Sequence, residues 1–75
     1  MSLAYAVINT VPDKMEAVFE KIKEIKGVEE AYMVYGVYDI IAEVKARNVV
    51  DLRLKVLNIR KLEHVTSTLS LLIVS

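Results

Sequence analysis

The stretch Tyr35-Gly36-Val37-Tyr38-Asp39 lies almost at the middle of the 75-residue chain and separates two runs rich in β-forming residues. A glycine between two such runs predicts a hairpin. Glycine adopts positive φ without a Cβ clash, so Gly36 and Val37 predict a two-residue type II′ turn. Asp39 then places a carboxylate at the start of an otherwise apolar strand. A turn aspartate is often only solvated, but Asp39 is the best functional candidate in this hairpin.

The half of the chain before the hairpin predicts a strand, a helix and a second strand. Residues 1–10 favour a strand that is apolar on both faces and therefore buried on both sides. The following helix is predicted to begin with Asp13 as its cap, because Glu16 has the capping-box spacing. Gly27 lies where a left-handed C-cap is expected, and the second strand is predicted over residues 28–35. The apolar stripe of the helix comprises Met15, Val18, Phe19, Ile22 and Ile25.

The half after the hairpin repeats this order. The third strand is predicted over residues 38–46, and Asn48 is predicted to cap a second helix with Asp51 as its partner. Asn58 is the expected end of that helix, since asparagine tolerates the left-handed conformation. The last strand is predicted over residues 65–74. The buried stripe of the second helix is expected to comprise Val49, Leu52, Val56 and Leu57.

The element order β-α-β-β-α-β predicts a ferredoxin-like α+β fold. Right-handed crossovers place both helices on one face of a four-stranded antiparallel sheet. The other face would be bare, although its residues are too apolar to lie against water. We therefore expect a second copy to pack on it, sheet to sheet, as in a dimeric α+β barrel.

The composition indicates one small domain over residues 1–75. A chain of this length buries only about 60% of its unfolded surface, yet 55% of its residues are hydrophobic, which favours self-association. Ten basic and ten acidic residues give a net charge of zero, and this argues against DNA binding by the chain alone. Neither a membrane span nor a signal peptide is visible. These features predict a cytoplasmic homo-oligomer with no membrane partner.

Residues typical of catalysis or metal binding are scarce. The chain has no cysteine and a single histidine, His64, so neither a metal site nor a cofactor is expected. Asp39 could bind the ammonium of a small zwitterion, while backbone amides and hydroxyls bind its carboxylate. Hydroxyls line the last strand at Thr66, Thr68 and Ser70, although ordinary β-propensity also explains the threonines. This strand and the hairpin could meet across a subunit contact.

The hairpin and the last strand carry a family resemblance. Residues 35–41 resemble the G-x-x-D motif, followed by apolar residues, of the RAM domain, the effector-binding half of Lrp/AsnC transcription regulators. Residues 65–68, Val-Thr-Ser-Thr, are similar to the family's V-x-x-T pattern. The chain departs from the family at His64, where glycine is common. It also lacks the helix-turn-helix that precedes the domain in full-length regulators, so it resembles a stand-alone RAM domain.

The resemblance implies sheet-to-sheet dimers that assemble further into a ring of dimers. It also implies a regulatory site for a small molecule, usually an amino acid effector, at a contact between dimers. Carried over by position, that site comprises Gly36, Tyr38 and Asp39, with Thr66 and Thr68 as further candidates. A full-length Lrp/AsnC regulator is a further candidate partner, because mixed oligomers would adjust its activity.

Two alternatives remain open from the sequence. Small ferredoxin-like enzymes of the oxygenase or isomerase type use a pocket between helices and sheet, and a pocket rich in tyrosine and histidine there would favour an enzyme. ACT-like amino-acid-binding domains share the topology but assemble through sheets placed side by side.

Overall fold

The computed structural model describes residues 1–74. In chain order its elements are β1 (Ser2–Thr10), a 3₁₀ turn (Pro12–Lys14), α1 (Met15–Lys23), β2 (Val28–Met33), β3 (Ile40–Ala46), α2 (Val49–Arg60) and β4 (Val65–Ile73). The predicted βαββαβ order is confirmed. No helix in the described part of the chain is long and apolar enough to cross a membrane.

The four strands form one antiparallel sheet in the order β2-β3-β1-β4. The central strands pair from Ser2 with Ala46 at one end to Ile8 with Ile40 at the other. Strands β2 and β4 are therefore the two edges of the sheet. Because β1 lies between β3 and β4, the hairpin and the start of the last strand flank its C-terminal end.

Both helices cover one face of the sheet. Alternate residues of β1 and β3 are buried against them, as the period of two in the sequence predicts. Several of these residues are alanines, whose small side chains let the helices lie close to the strands. The buried set on the two central strands comprises Ala4, Ala6, Ile8, Ile40, Ala42, Val44 and Ala46. We call the opposite side of the sheet the open face.

The sequence predicted the start of α2 correctly but not the start of α1. The side chain of Asn48 accepts a hydrogen bond from the backbone N–H of Asp51 at 2.8 Å, so the predicted cap of α2 is confirmed. The predicted Asp13 capping box is wrong, since no side-chain cap bond forms at α1. Pro12 instead starts a 3₁₀ turn, which Lys14 closes by donating its N–H to the Val11 carbonyl. Asp13 is therefore inside a turn, where it cannot cap the helix that follows.

The helix stripes were predicted with unequal success. All five predicted stripe residues of α1 are buried or packed against the core. In α2, Leu52 is buried and Val56 half-buried, but Val49 and Leu57 are exposed. The expected stop at Asn58 is wrong, because the helix continues to Arg60 and buries Ile59 completely, at 0% exposure. Burial of Ile59 is the physical reason for the two additional helical residues.

The central hairpin is longer than the sequence predicted. β2 ends at Met33 and β3 begins at Ile40, and the last backbone bond runs from Val34 N–H to the Asp39 carbonyl at 2.9 Å. Four residues, 35–38, therefore form the loop, and the two-residue type II′ turn is wrong. Gly36 does have positive φ, +147°.

Replacing Gly36 with valine is expected to lower the free energy of unfolding by roughly 1 kcal/mol or more, because L side chains rarely adopt this φ. A Cβ at this position would meet no other atom within 4 Å, so the loss would come from the backbone alone. Gly36→Ala should then lose a similar amount. Urea unfolding of both variants checks this, and an unchanged midpoint would show that the loop accommodates a side chain freely.

Candidate functional site

The Asp39 carboxylate is bonded to the end of β1. Its Oδ2 accepts a hydrogen bond from the Thr10 backbone N–H at 2.9 Å and lies 3.5 Å from the Thr10 hydroxyl. The Asp39 backbone N–H donates to the Ile8 carbonyl at 3.0 Å. Thr10 is buried and Asp39 half-buried. If β3 began earlier, one of its backbone carbonyls would accept the Thr10 N–H. The Asp39 carboxylate accepts this N–H instead.

Thr10 is a site residue that sequence reasoning missed. It lies 29 positions before Asp39 in the chain, and no local pattern links the two residues. Only the antiparallel register of β1 and β3 brings the carboxylate to the free N–H. A buried N–H without a partner costs about 1–3 kcal/mol, so this contact gives Asp39 a structural role.

The other predicted hairpin residues lie in the loop around Asp39. Gly36 is exposed at its tip, and Tyr38 is half-buried directly before Asp39. The structure thus places these residues beside one another at the end of the sheet.

The predicted threonines lie at the same end of the sheet but on the far side of β1. Thr68 pairs with Ile8, whereas Thr66 has no partner on β1 because the register shifts between Val65 and Ser67. This bulge interrupts the expected row of hydroxyls at Thr66. Adjacent strands lie about 4.8 Å apart, so one strand separates the threonines from the hairpin by roughly 10 Å across the sheet.

His64 occupies a left-handed backbone position, with φ of +74° directly before β4. Its carbonyl accepts a hydrogen bond from the Val11 N–H at 2.9 Å, which fixes the turn against the end of β1. Its side chain lies 3.9 Å from the Glu63 carboxylate, a weak exposed contact. Glycine suits this position because the backbone there is left-handed. His64 keeps that backbone conformation and differs from glycine only in its side chain.

Replacing His64 with glycine is expected to raise the free energy of unfolding by about 0.5–1 kcal/mol, because glycine adopts this conformation without strain. For a domain of this size the melting temperature should rise by roughly 2–8 °C. His64→Ala is the control, since it removes the imidazole but keeps the Cβ. Thermal unfolding at a fixed protein concentration checks this, and an equal gain in both variants would assign the effect to the imidazole.

A second polar cluster lies on the open face, away from the hairpin. The Tyr5 hydroxyl donates to Glu43 at 3.0 Å, and the Tyr32 hydroxyl donates to Glu30. Glu30 and Glu43 pair directly across β2 and β3. The hydrogen bond from Tyr5 to Glu43, together with the negative charges of both glutamates, raises the pKa of Tyr5 above its ordinary value of 10.0. The hydrogen bond to Glu30 raises the pKa of Tyr32 in the same way. Both hydroxyls therefore remain donors at neutral pH.

Along β1 and β4 the open face is otherwise largely apolar, apart from Asn9, which donates a hydrogen bond to Ser67 at 3.4 Å near the hairpin end. β4 contributes leucine and isoleucine side chains that pair with the exposed side of β1, where Val7 lies opposite Leu69 and Tyr5 opposite Leu71. Leu69, Leu71 and Ile73 are all exposed in the single chain. Under the helices, in contrast, the core is aliphatic apart from Phe19, and the cavity of about 230 Å³ between α2 and the sheet is lined by neither tyrosine nor histidine. The described residues therefore form no tyrosine- and histidine-rich pocket there, the feature that would favour an enzyme.

The comparisons with known proteins agree on one family. The family model of the Lrp/AsnC ligand binding domain matches residues 3–75. A search of curated protein sequences finds no significant match. Among solved structures, TTHA0845 from Thermus thermophilus is 34% identical with a TM-score of 0.94, over 100% of this chain and 95% of that one. The protein FFRP-DM1 is 32% identical with a TM-score of 0.93, over 99% of this chain and 100% of that one.

More distant structures share the fold. A feast or famine regulatory protein from M. tuberculosis, solved in complex with L-methionine, has a TM-score of 0.84 at 22% identity. The match covers 100% of this chain and 51% of that one. The family model spans nearly the whole chain, and the TM-scores above 0.9 show that the two structures of 32–34% identity share its fold. The chain belongs to the Lrp/AsnC ligand binding domain family.

Proposed function

We propose that this chain is an amino-acid-sensing regulatory module whose effector site includes Gly36, Tyr38 and Asp39. The observation that carries the proposal is the state of the Asp39 carboxylate. It is half-buried and held by Thr10 through one oxygen, Oδ2. Within residues 1–74 no lysine or arginine forms an ion pair with it. A fixed, unpaired carboxylate suits the ammonium group of an amino acid.

The ligand class follows from the family and from the chemistry of the hairpin. The ligand-binding domain of this family and the L-methionine complex of the M. tuberculosis relative both support an amino acid effector. The α-carboxylate of such a ligand needs donors, which the backbone amides of the exposed loop around Gly36 can supply. Strand β1 lies between the hairpin and the strand that carries Thr66 and Thr68. They would contribute only from a neighbouring copy.

The assembly completes the proposal. The open face exposes three large apolar residues of β4, and a second copy packed sheet to sheet would cover them. The hairpin projects from the end of the sheet and stays accessible in such a dimer. Dimers could then meet at the hairpins with the effector between them, as a ring of dimers or with a full-length regulator.

Native mass spectrometry with and without a pool of the twenty amino acids tests this function. We expect a dimer or a multiple of dimers in both samples, and one or a few amino acids retained at a ratio of up to one per chain. The retained species should change the proportion of the larger assemblies. A complete absence of bound amino acid at millimolar concentrations would contradict the sensing role.

A further inference from the structure

A basic cleft lies at the end of the sheet opposite the hairpin. It has a volume of about 1070 Å³ and is formed where β1 begins, β3 ends and α2 begins. Four cationic side chains line it, against two carboxylates, although the whole chain is neutral. The cations are Lys26, Lys45, Arg47 and Lys55, and the carboxylates are Glu29 and Asp51. The charges of this chain are therefore distributed unevenly, with a local excess of two positive charges.

Lys55 is the cation of the cleft that is held by both an ion pair and a close backbone contact. Its side chain is only 18% exposed, and its Nζ lies 3.6 Å from Asp51 Oδ1. The stem of Lys55 crosses Gly27 so closely that a Cβ there would overlap it. The Gly27 carbonyl also accepts a hydrogen bond from the Lys45 N–H at 2.8 Å. Because Gly27, with φ of +101°, has no Cβ, the stem of Lys55 can pass over it and the Lys55 ammonium reaches the cleft.

The other cations are incompletely neutralised. Arg47 reaches Asp51 only at 3.9 Å, with 88% of its side chain exposed, so Lys55 and Arg47 share a single carboxylate. Lys26 and Lys45 form no ion pair within the described part of the chain. A cleft lined by more ammonium and guanidinium groups than carboxylates favours an anionic ligand. The N-terminal end of α2 faces the same region, and the positive end of its helix dipole adds to the positive charge there.

We propose that this cleft binds a small phosphorylated anion. Lysine ammoniums bind phosphate as point charges, and the planar guanidinium of Arg47 can bind two of its oxygens. A diphosphate is small enough to enter the cleft and would offset the excess positive charge. The sequence has too few glycines for a phosphate-binding loop, so the side chains would supply most of the contacts.

The cleft is separate from the proposed effector site. Ala46 pairs with Ser2 at one end of β1, whereas Ile40, next to Asp39, pairs with Ile8. These pairs are six positions apart along each strand, which corresponds to roughly 20 Å. The anion proposal does not rest on the amino acid proposal, and variants at one end should leave binding at the other end unchanged.

Titration calorimetry with inorganic pyrophosphate in 50 mM salt tests the proposal. We expect saturable binding by the wild type and a roughly tenfold weaker affinity for Lys55→Met, which keeps the stem over Gly27 but removes the charge. Arg47→Gln should weaken binding similarly and is exposed enough to leave folding intact. Lys61→Met is the matched control, since Lys61 follows the opposite end of α2, and it should bind as the wild type does.

Asp51→Asn gives a result of the opposite sign. It removes the carboxylate that competes for Lys55 and Arg47, so pyrophosphate should bind several-fold more tightly. Amide shifts in the NMR spectrum should move at Gly27, Arg47 and Asn48, and should stay unchanged around Asp39. No saturable binding up to 10 mM would overturn the proposal. Equal weakening by Lys61→Met and Lys55→Met would also overturn it, because it would show a diffuse response to charge.

Discussion

Replacing Leu71 with glutamate is expected to dissociate the proposed sheet-to-sheet dimer into monomers at micromolar concentration. Leu71 lies on the open face opposite Tyr5, is 53% exposed in the single chain, and has Leu69 and Ile73 beside it on the same face of β4. Fully burying a leucine contributes about 1.5–3 kcal/mol, and about half of this is still to be gained at Leu71. A symmetric dimer loses it twice, and the two buried glutamate charges add their own desolvation cost. The dissociation constant should therefore rise by roughly a hundredfold to ten-thousandfold.

Leu54→Glu is the matched control for this prediction. Leu54 is similarly exposed, at 56%, but it lies on α2, away from the open face. Light scattering or sedimentation of the two variants beside the wild type measures the difference. A monomeric wild type at micromolar concentration would contradict the sheet-to-sheet dimer, and so would equal dissociation of both variants.

Asp39→Asn is expected to weaken amino acid binding by roughly tenfold to a hundredfold. A charge-assisted hydrogen bond contributes about 1.5–3 kcal/mol, and asparagine removes the charge while it keeps an oxygen to accept the Thr10 N–H. The fold and the sheet-to-sheet dimer should therefore persist. Calorimetry with the amino acid that the wild type retains best measures the loss.

Asp39→Ala separates the structural role of this residue from its role in binding. It leaves the buried Thr10 N–H without its acceptor, which should lower the free energy of unfolding by about 1–3 kcal/mol. Asp39→Asn should cost much less stability and still lose affinity. Asp51→Asn, the same substitution at the other end of the sheet, is the control for overall charge. Unchanged affinity in Asp39→Asn would limit Asp39 to its contact with Thr10.

Variants at the proposed dimer interface and at the proposed effector site are expected to give different results. Leu71→Glu acts on the open face and should abolish larger assemblies together with the dimer. Asp39→Asn acts at the hairpin and should affect only the contacts between dimers, where the effector is proposed to lie. A variant that lost both properties would indicate that the hairpin belongs to the sheet-to-sheet interface.

The sequence by itself determined the order and type of the elements, the fold class and the family. Alternation along β3 correctly divided its residues between the helix side and the open face. The helical spacing of α1 and the cap at Asn48 were also correct. These features are local, because each residue is constrained by neighbours within a few positions, so their periodicity is visible in the chain.

The tertiary structure alone decided the features that join distant parts of the chain. The contact of Asp39 with Thr10 and the length of the hairpin depend on where β3 starts against β1. The left-handed His64 is stabilised by its bond to Val11, and α2 extends past Asn58 because Ile59 is buried in the core. In each case a long-range hydrogen bond or apolar burial of about 1 kcal/mol or more outweighs a smaller local preference, which at the left-handed His64 is about 0.5–1 kcal/mol.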